Sequence, residues 1–178
     1  TVLGYMLFAS RGLGRFYRLQ TTQKWPALNF ADNLSILRGK TCLIAGLGNI
    51  GRHIARLASA FGMRVIGLKR SIVAEEHVWV VDNLSNLKKY LPMADHLVLA
   101  LPNVRAVDNL LGKKEFKSMK KSACIYNIGR GNAVDEDALY EALKNQRIYF
   151  ACLDVFKEEP LPMEHKLRSL ENILITPH

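Results

Sequence analysis

A chain of 178 residues, 49% of them hydrophobic, has the material for one domain with a single buried core, which excludes a disordered or low-complexity protein. Its 25 Lys and Arg against 16 Asp and Glu give a formal charge of +9, which points to an anionic partner without choosing among nucleotide, nucleic acid and membrane. Cys42, Cys124 and Cys152 stand far apart in apolar runs, so a zinc cluster and a CxxC redox site are excluded, and the thiols read as buried and reduced, as in a cytoplasmic protein. No apolar run approaches the roughly 18 residues of a membrane span, and TVLGYMLFAS lacks the basic lead and cleavage site of a secretory signal.

Along the chain, residues 1 to 20 place Val2, Leu3, Met6 and Leu7 at helical spacing ahead of Arg11, Arg15 and Arg18. This predicts one leading helix that packs on a neighbouring domain rather than on a membrane. Residues 21–40 read as an irregular connection. From Thr41 onward six short apolar segments bounded by breakers read as strands buried on both faces: TCLIAGLG, RVIGLKR, HLVLALP, ACIYNIG, YFACLDV and NILITP. Helical patterns separate them: NIGRHIARLASAFG, LSNLKKYLPMA, VRAVDNLLGKKEFKSM and DEDALYEALKNQ. The alternation predicts an α/β fold, a doubly wound parallel sheet in three α/β/α layers. Lys113, Lys114, Lys117, Lys120 and Lys121 form the densest basic cluster, but no nucleic-acid motif accompanies them and they read as a solvated helix face.

Gly46-Leu47-Gly48-Asn49-Ile50-Gly51 follows a strand and opens a helix, the setting in which a GxGxxG sequence holds a dinucleotide. Gly46 permits the tight turn, Gly48 the approach of a pyrophosphate, and Gly51 the close seating of helix on sheet. The helix is expected to turn Ile50, Ile54, Leu57, Ala58 and Phe61 inward and Arg52, His53 and Arg56 outward. Its free N–H groups at Asn49 and Ile50 face the phosphates, where the macrodipole favours negative charge. Where a carboxylate usually closes the second strand and accepts the ribose hydroxyls, this sequence has Lys69-Arg70-Ser71. Two cations and a hydroxyl suit a 2′-phosphate, so NADP(H) is the expected preference, with NAD(H) possible.

Three later stretches carry reactive residues at strand ends. Arg130 lies between Gly129 and Gly131 in NIGRGNAVDEDAL, and its forked donors suit a carboxylate. Asp154 and Glu159 follow in CLDVFKEEPLP, and His178 ends ILITPH. Together they offer an anion clamp and a carboxylate–imidazole pair. Taken singly, Arg130 could instead pair with Asp135, and the histidine could be structural.

GLGNIG, RVIGLKR, NIGRGNAVDEDAL, LDVFKEEPLP and NILITPH come in an order and spacing that resembles the D-isomer-specific 2-hydroxyacid dehydrogenases, over essentially the whole chain and including the leading helix and Trp25. The resemblance implies a Rossmann-type NAD(P)-binding domain: residues 1–40 as leading helix and connection, 41–178 as the core, with a substrate-covering lobe outside this sequence. It implies Arg130 as the substrate-binding arginine, Glu159 as the acid paired to histidine and His178 as the proton donor. The cofactor would meet Leu101 and Pro102 after one strand, Ile128 and Gly129 after the next, and Asp154 at the nicotinamide end. The activity implied is hydride transfer between NAD(P)H and a 2-oxo acid such as glyoxylate or hydroxypyruvate, in a homodimeric parent protein. Two departures stand out: Pro102-Asn103-Val104 replaces the family's Pro-Leu-Thr turn, and the basic Lys69-Arg70-Ser71 is similar to the NADPH-using glyoxylate and hydroxypyruvate reductases. The alternative within the family is an NAD(H)-responsive corepressor. An S-adenosylmethionine-binding sheet would share the glycine turn but leave Arg130, Glu159 and His178 unexplained.

Overall fold

The computed structural model describes residues 1–22, 34–102 and 107–178. Trp25, Asn103 and Val104 lie outside the described residues. Seven strands form one all-parallel sheet: β1 (Thr41–Ala45), β2 (Arg64–Leu68), β3 (Val80–Asp82), β4 (His96–Leu99), β5 (Cys124–Asn127), β6 (Phe150–Leu153) and β7 (Ile173–Ile175). Their order is β3-β2-β1-β4-β5-β6-β7, so the chain winds outward from β1 in one direction and returns past it to build the other half. The crevice beside β1 and β4, where the winding reverses, is where open α/β sheets take ligands. Strands β1, β4, β5 and β6 are buried throughout, as their unbroken apolar runs require.

Helices cover both faces. On one face α1 (Val2–Ser10) and α3 (Asn49–Ala60) enclose Met6, Ile44, Ile54, Val98, Tyr126 and Cys152. On the other, α4 (Leu87–Tyr90), α5 (Lys113–Ser118) and α6 (Glu136–Lys144) pack against Leu43, Ile66, Leu97 and Ile125. Asp135 caps α6 by accepting from the N–H groups of Asp137 and Ala138, both at 3.1 Å, and so is not the partner of Arg130. The three thiols are free and buried.

Four expectations need correction. The leading segment is two helices, because Gly12 at φ 60° breaks it before α2 (Leu13–Thr21), and its strongly exposed apolar residues, Leu13 and Tyr17, sit on the second helix. Strand β3 had no counterpart in the sequence reading: a half-buried three-residue edge strand shows no long apolar run. The helix expected over 104–119 is not continuous among the described residues: Leu111 is drawn into a parallel bridge with Val134, and Gly112 starts α5 at Lys113. On α3 the buried side chains are Ile54, Ala55 and Ala58, whereas Ile50 and Phe61 are exposed. The sheet-facing stripe is narrow because glycine and alanine seat the helix close.

One buried group ties the fold to pH. His96 lies on β4 between Cys42 and Cys124 in the sheet register, 3% exposed, with Nδ1 2.9 Å from the Tyr126 hydroxyl. Burial pushes its pKa down from 6.5 to about 4. The unfolded chain takes up a proton that the folded chain refuses, so the stability from this site is whole above pH 6.5 and declines as pH falls to about 4. Urea titrations across that interval are expected to show a loss of about 3 kcal/mol that His96→Gln lacks. Equal pH slopes in the two proteins would contradict it.

Candidate functional site

The glycine turn is built by contacts that leave no space for side chains. After β1 the chain turns at Gly46, φ 104°, whose N–H donates to Leu68 O at 2.9 Å. A Cβ on Gly51 would stand 1.9 Å from Gly46 O, so only glycine lets α3 begin directly over the end of β1. Leu47 folds down onto β2, where a Cβ on Gly67 would meet it at 2.1 Å. Gly48 differs: a Cβ there meets nothing within 4 Å, and the open space lies before the first turn of α3, which no side chain caps. An anion the size of a phosphate group fits this cradle, with the first-turn N–H groups as donors.

From that cradle a groove runs along the C-terminal edge of the sheet. At one end a cleft of about 420 Å³ is lined by Gly48, Lys69, Arg70, Ser71 and Pro102. It shares Gly46 and Leu101 with a middle section of about 490 Å³ that also touches Gly51, Ile128, Gly129 and Arg130. That section shares Asn49, Ile50 and Ile128 with a third, of about 550 Å³, that reaches Asp154 and His53. The exposure of Ile50, unexpected for a sheet-facing residue, follows from its position on this groove. Every candidate cofactor-binding residue read from the sequence thus lines one continuous channel, although Lys69 is not free within it. Its ammonium is ion-paired with Glu75, which also accepts from Arg52 Nη1 at 3.1 Å.

The reactive trio comes together beyond the middle section. Asn127, 1% exposed at the end of β5, accepts from Gly129 N–H at 3.1 Å and donates to Arg130 O at 2.9 Å, bracing the turn between them. The flanking glycines are forced by backbone approach. A Cβ at Gly129 would be 2.8 Å from Leu101 N, and one at Gly131 would be 1.9 Å from the Phe156 carbonyl carbon. Three strand-end loops are therefore locked together with Arg130 at the joint, exposed and with an extended backbone, its side chain folded back so that Nη1 donates to Gly129 O at 2.7 Å.

Glu159 Oε1 accepts from Phe156 N–H at 2.8 Å, while Oε2 lies 2.7 Å from His178 Nδ1. The Phe156 N–H first, and then His178, hold its pKa below the usual carboxylate value, with Arg130 adding to the effect. Beside this pair Phe156, Leu161, Thr176 and His178 line a cleft of about 460 Å³. Asp154 is fixed by the Thr176 hydroxyl, which in turn lies 3.0 Å from the Tyr5 hydroxyl of α1. Asn127, Thr176 and Glu75 were missed from the sequence. Asn127 and Thr176 lie within the quoted motifs NIGRGNAVDEDAL and ILITPH but were given no role, whereas Glu75 falls in a loop with no motif to mark it.

The chain as a whole has known relatives. The chain is 37% identical over 180 residues to D-3-phosphoglycerate dehydrogenase of Methanocaldococcus jannaschii, covering 99% of this chain and 33% of that protein. It is 42% identical over 142 residues to glyoxylate reductase of Aeropyrum pernix, covering 80% and 42% respectively. This chain thus spans well under half the length of either curated relative. Among solved structures, a D-isomer specific 2-hydroxyacid dehydrogenase from Xanthobacter autotrophicus in complex with NADPH and MES superposes with a TM-score of 0.88 at 30% identity, over 99% of this chain and 55% of that one. Residues 3–178 match the family of D-isomer specific 2-hydroxyacid dehydrogenases through its NAD binding domain, and the chain belongs to that family.

Proposed function

We propose that this chain is the cofactor-binding part of an NAD(P)-dependent dehydrogenase that interconverts a 2-oxo acid, of the glyoxylate or hydroxypyruvate kind, with its 2-hydroxy acid. The observation that carries the reading is the Glu159–His178 pair at 2.7 Å, near enough to Arg130 for the guanidinium to help hold Glu159 ionised, while Arg130 itself lines the middle section of the groove. The pair favours this reading over the alternative of a regulatory protein that only senses NAD(H).

The bound nicotinamide supplies the hydride. His178 donates a proton to the substrate oxygen as charge develops on it, and Glu159, anchored by the Phe156 N–H, keeps the imidazole ring aimed. Arg130 grips the substrate carboxylate with its forked donors and fixes the reacting carbon in reach. Asp154, held by Thr176, would meet the nicotinamide end, and Leu101, Pro102, Ile128 and Gly129 would form the cofactor's wall. The N–H groups of Asn49 and Ile50, over Gly48, would hold the pyrophosphate, and Lys69, Arg70 and Ser71 would surround the adenosine ribose. Two cations there favour NADPH over NADH; the Xanthobacter relative bound to NADPH supports the same choice. The substrate-covering lobe belongs to the rest of the protein, a cytoplasmic enzyme, and Leu13 and Tyr17 on α2 offer an apolar surface to a second subunit.

Fluorescence titration with the reduced dinucleotides is expected to give tighter binding of NADPH than of NADH; equal or tighter NADH binding would refute the preference. The two glycines should fail differently. Gly48→Ala leaves the melting temperature unchanged and weakens NADPH binding by about tenfold or more, because its methyl group enters the phosphate space. Gly51→Ala lowers the melting temperature by roughly 5 °C or more, because helix and turn must separate. In the full-length enzyme Arg130→Lys keeps the charge but loses the fork, and kcat/KM is expected to fall by about tenfold or more. Unchanged turnover would remove Arg130 from substrate binding.

A further inference from the structure

Lys69, the first cation of the expected 2′-phosphate site, already holds an anion. Glu75, in the loop 69–79 between β2 and β3, places one carboxylate against both the Lys69 ammonium and the Arg52 guanidinium, the latter at 3.1 Å from the first turns of α3. The Glu75 and Lys69 side chains are only 15% and 19% exposed, whereas Arg52 is 49% exposed, so the Glu75–Lys69 contact is the sheltered part of the cluster. Lys69 chiefly, and Arg52 after it, hold Glu75 ionised below the usual carboxylate range. Arg70 and Ser71 stay exposed on the cleft wall.

The loop is tied down independently of this side chain. Val78 N–H donates to Glu75 O at 3.2 Å and Trp79 N–H to Val65 O at 2.8 Å. The carboxylate can therefore rotate away while the backbone stays in place.

We propose that Glu75 is a cofactor-selecting residue, an internal counterion that competes with the 2′-phosphate of NADPH for Lys69 and Arg52. This rests on the functional reading that the cleft at Lys69 takes the adenosine ribose. A 2′-phosphate gains charge-assisted hydrogen bonds from Lys69 only as Glu75 gives them up, and it feels the repulsion of the carboxylate until then. NADH carries no group that asks Glu75 to leave Lys69. Glu75 thereby narrows the advantage that the basic strand end gives to NADPH, and lets the site accept both cofactors.

The test compares wild type with Glu75→Gln, titrating NADPH, NADH and, as probes of the adenosine end alone, adenosine 2′,5′-bisphosphate and AMP. The expected result is that the ratio of NADH to NADPH dissociation constants rises at least about fivefold in the variant, with the same direction for the bisphosphate against AMP. A ratio that stays within twofold, or that falls, overturns the inference. The wild-type titration judges the functional reading separately: equal or tighter NADH binding sinks the NADPH preference, and no binding of either cofactor sinks the reading itself. The Glu75 competition is read from the change on substitution. Should Glu75→Gln fail to fold, Glu75→Ser gives the same readout, and the carboxyl carbon-13 signal of Glu75 in wild type is expected to move with the bisphosphate and not with AMP. A signal that ignores the bisphosphate also overturns the inference.

Discussion

The site depends on one steric constraint, the seating of α3 directly over the end of β1, where a single methyl group on Gly51 would stand 1.9 Å from Gly46 O. That contact fixes where the first turn of the helix points. Its uncapped N–H groups face the crevice between the two halves of the sheet, and the void at Gly48 lies before them. Moving the helix outward by the width of a methyl group would carry the N–H donors away from the groove, so binding geometry and packing are one property here.

The same device recurs in the middle section of the groove. Gly129 presses on the backbone of Leu101 and Gly131 on that of Phe156, which joins the loops after β4, β5 and β6. Arg130 emerges from that junction, and Phe156, held against Gly131, gives the N–H that anchors Glu159. The acid, the imidazole and the arginine are far apart in sequence yet share one backbone scaffold. Rigidity of this kind holds an exposed carboxylate–imidazole pair in one arrangement without burying it, as a proton-donating site requires.

Much of this was legible in the sequence, for physical reasons that also explain the failures. Unbroken apolar runs bounded by glycine or polar residues announce strands buried on both faces, and β1, β4, β5 and β6 are such strands. Strand β3 is short and half-exposed and gives no such signal. The helical pattern does not run through Leu111, which is used in a bridge to Val134, a long-range contact that local periodicity does not encode. Ile50 was assigned to the sheet by its spacing, whereas its place is on the groove. The residues proposed to hold cofactor and substrate could be singled out because each sits within a motif at a strand end. Glu75 was not, because its importance arises from a meeting with Arg52 and Lys69 that only the folded loop creates.

The most direct test of the account is a crystal structure of the protein with NADPH. It is expected to show the pyrophosphate on the N–H groups of Asn49 and Ile50, the nicotinamide beside Asp154 and His178, and the 2′-phosphate among Lys69, Arg70 and Ser71. A cofactor bound elsewhere on the molecule, or lying in the groove with its adenosine turned away from Lys69, would contradict it.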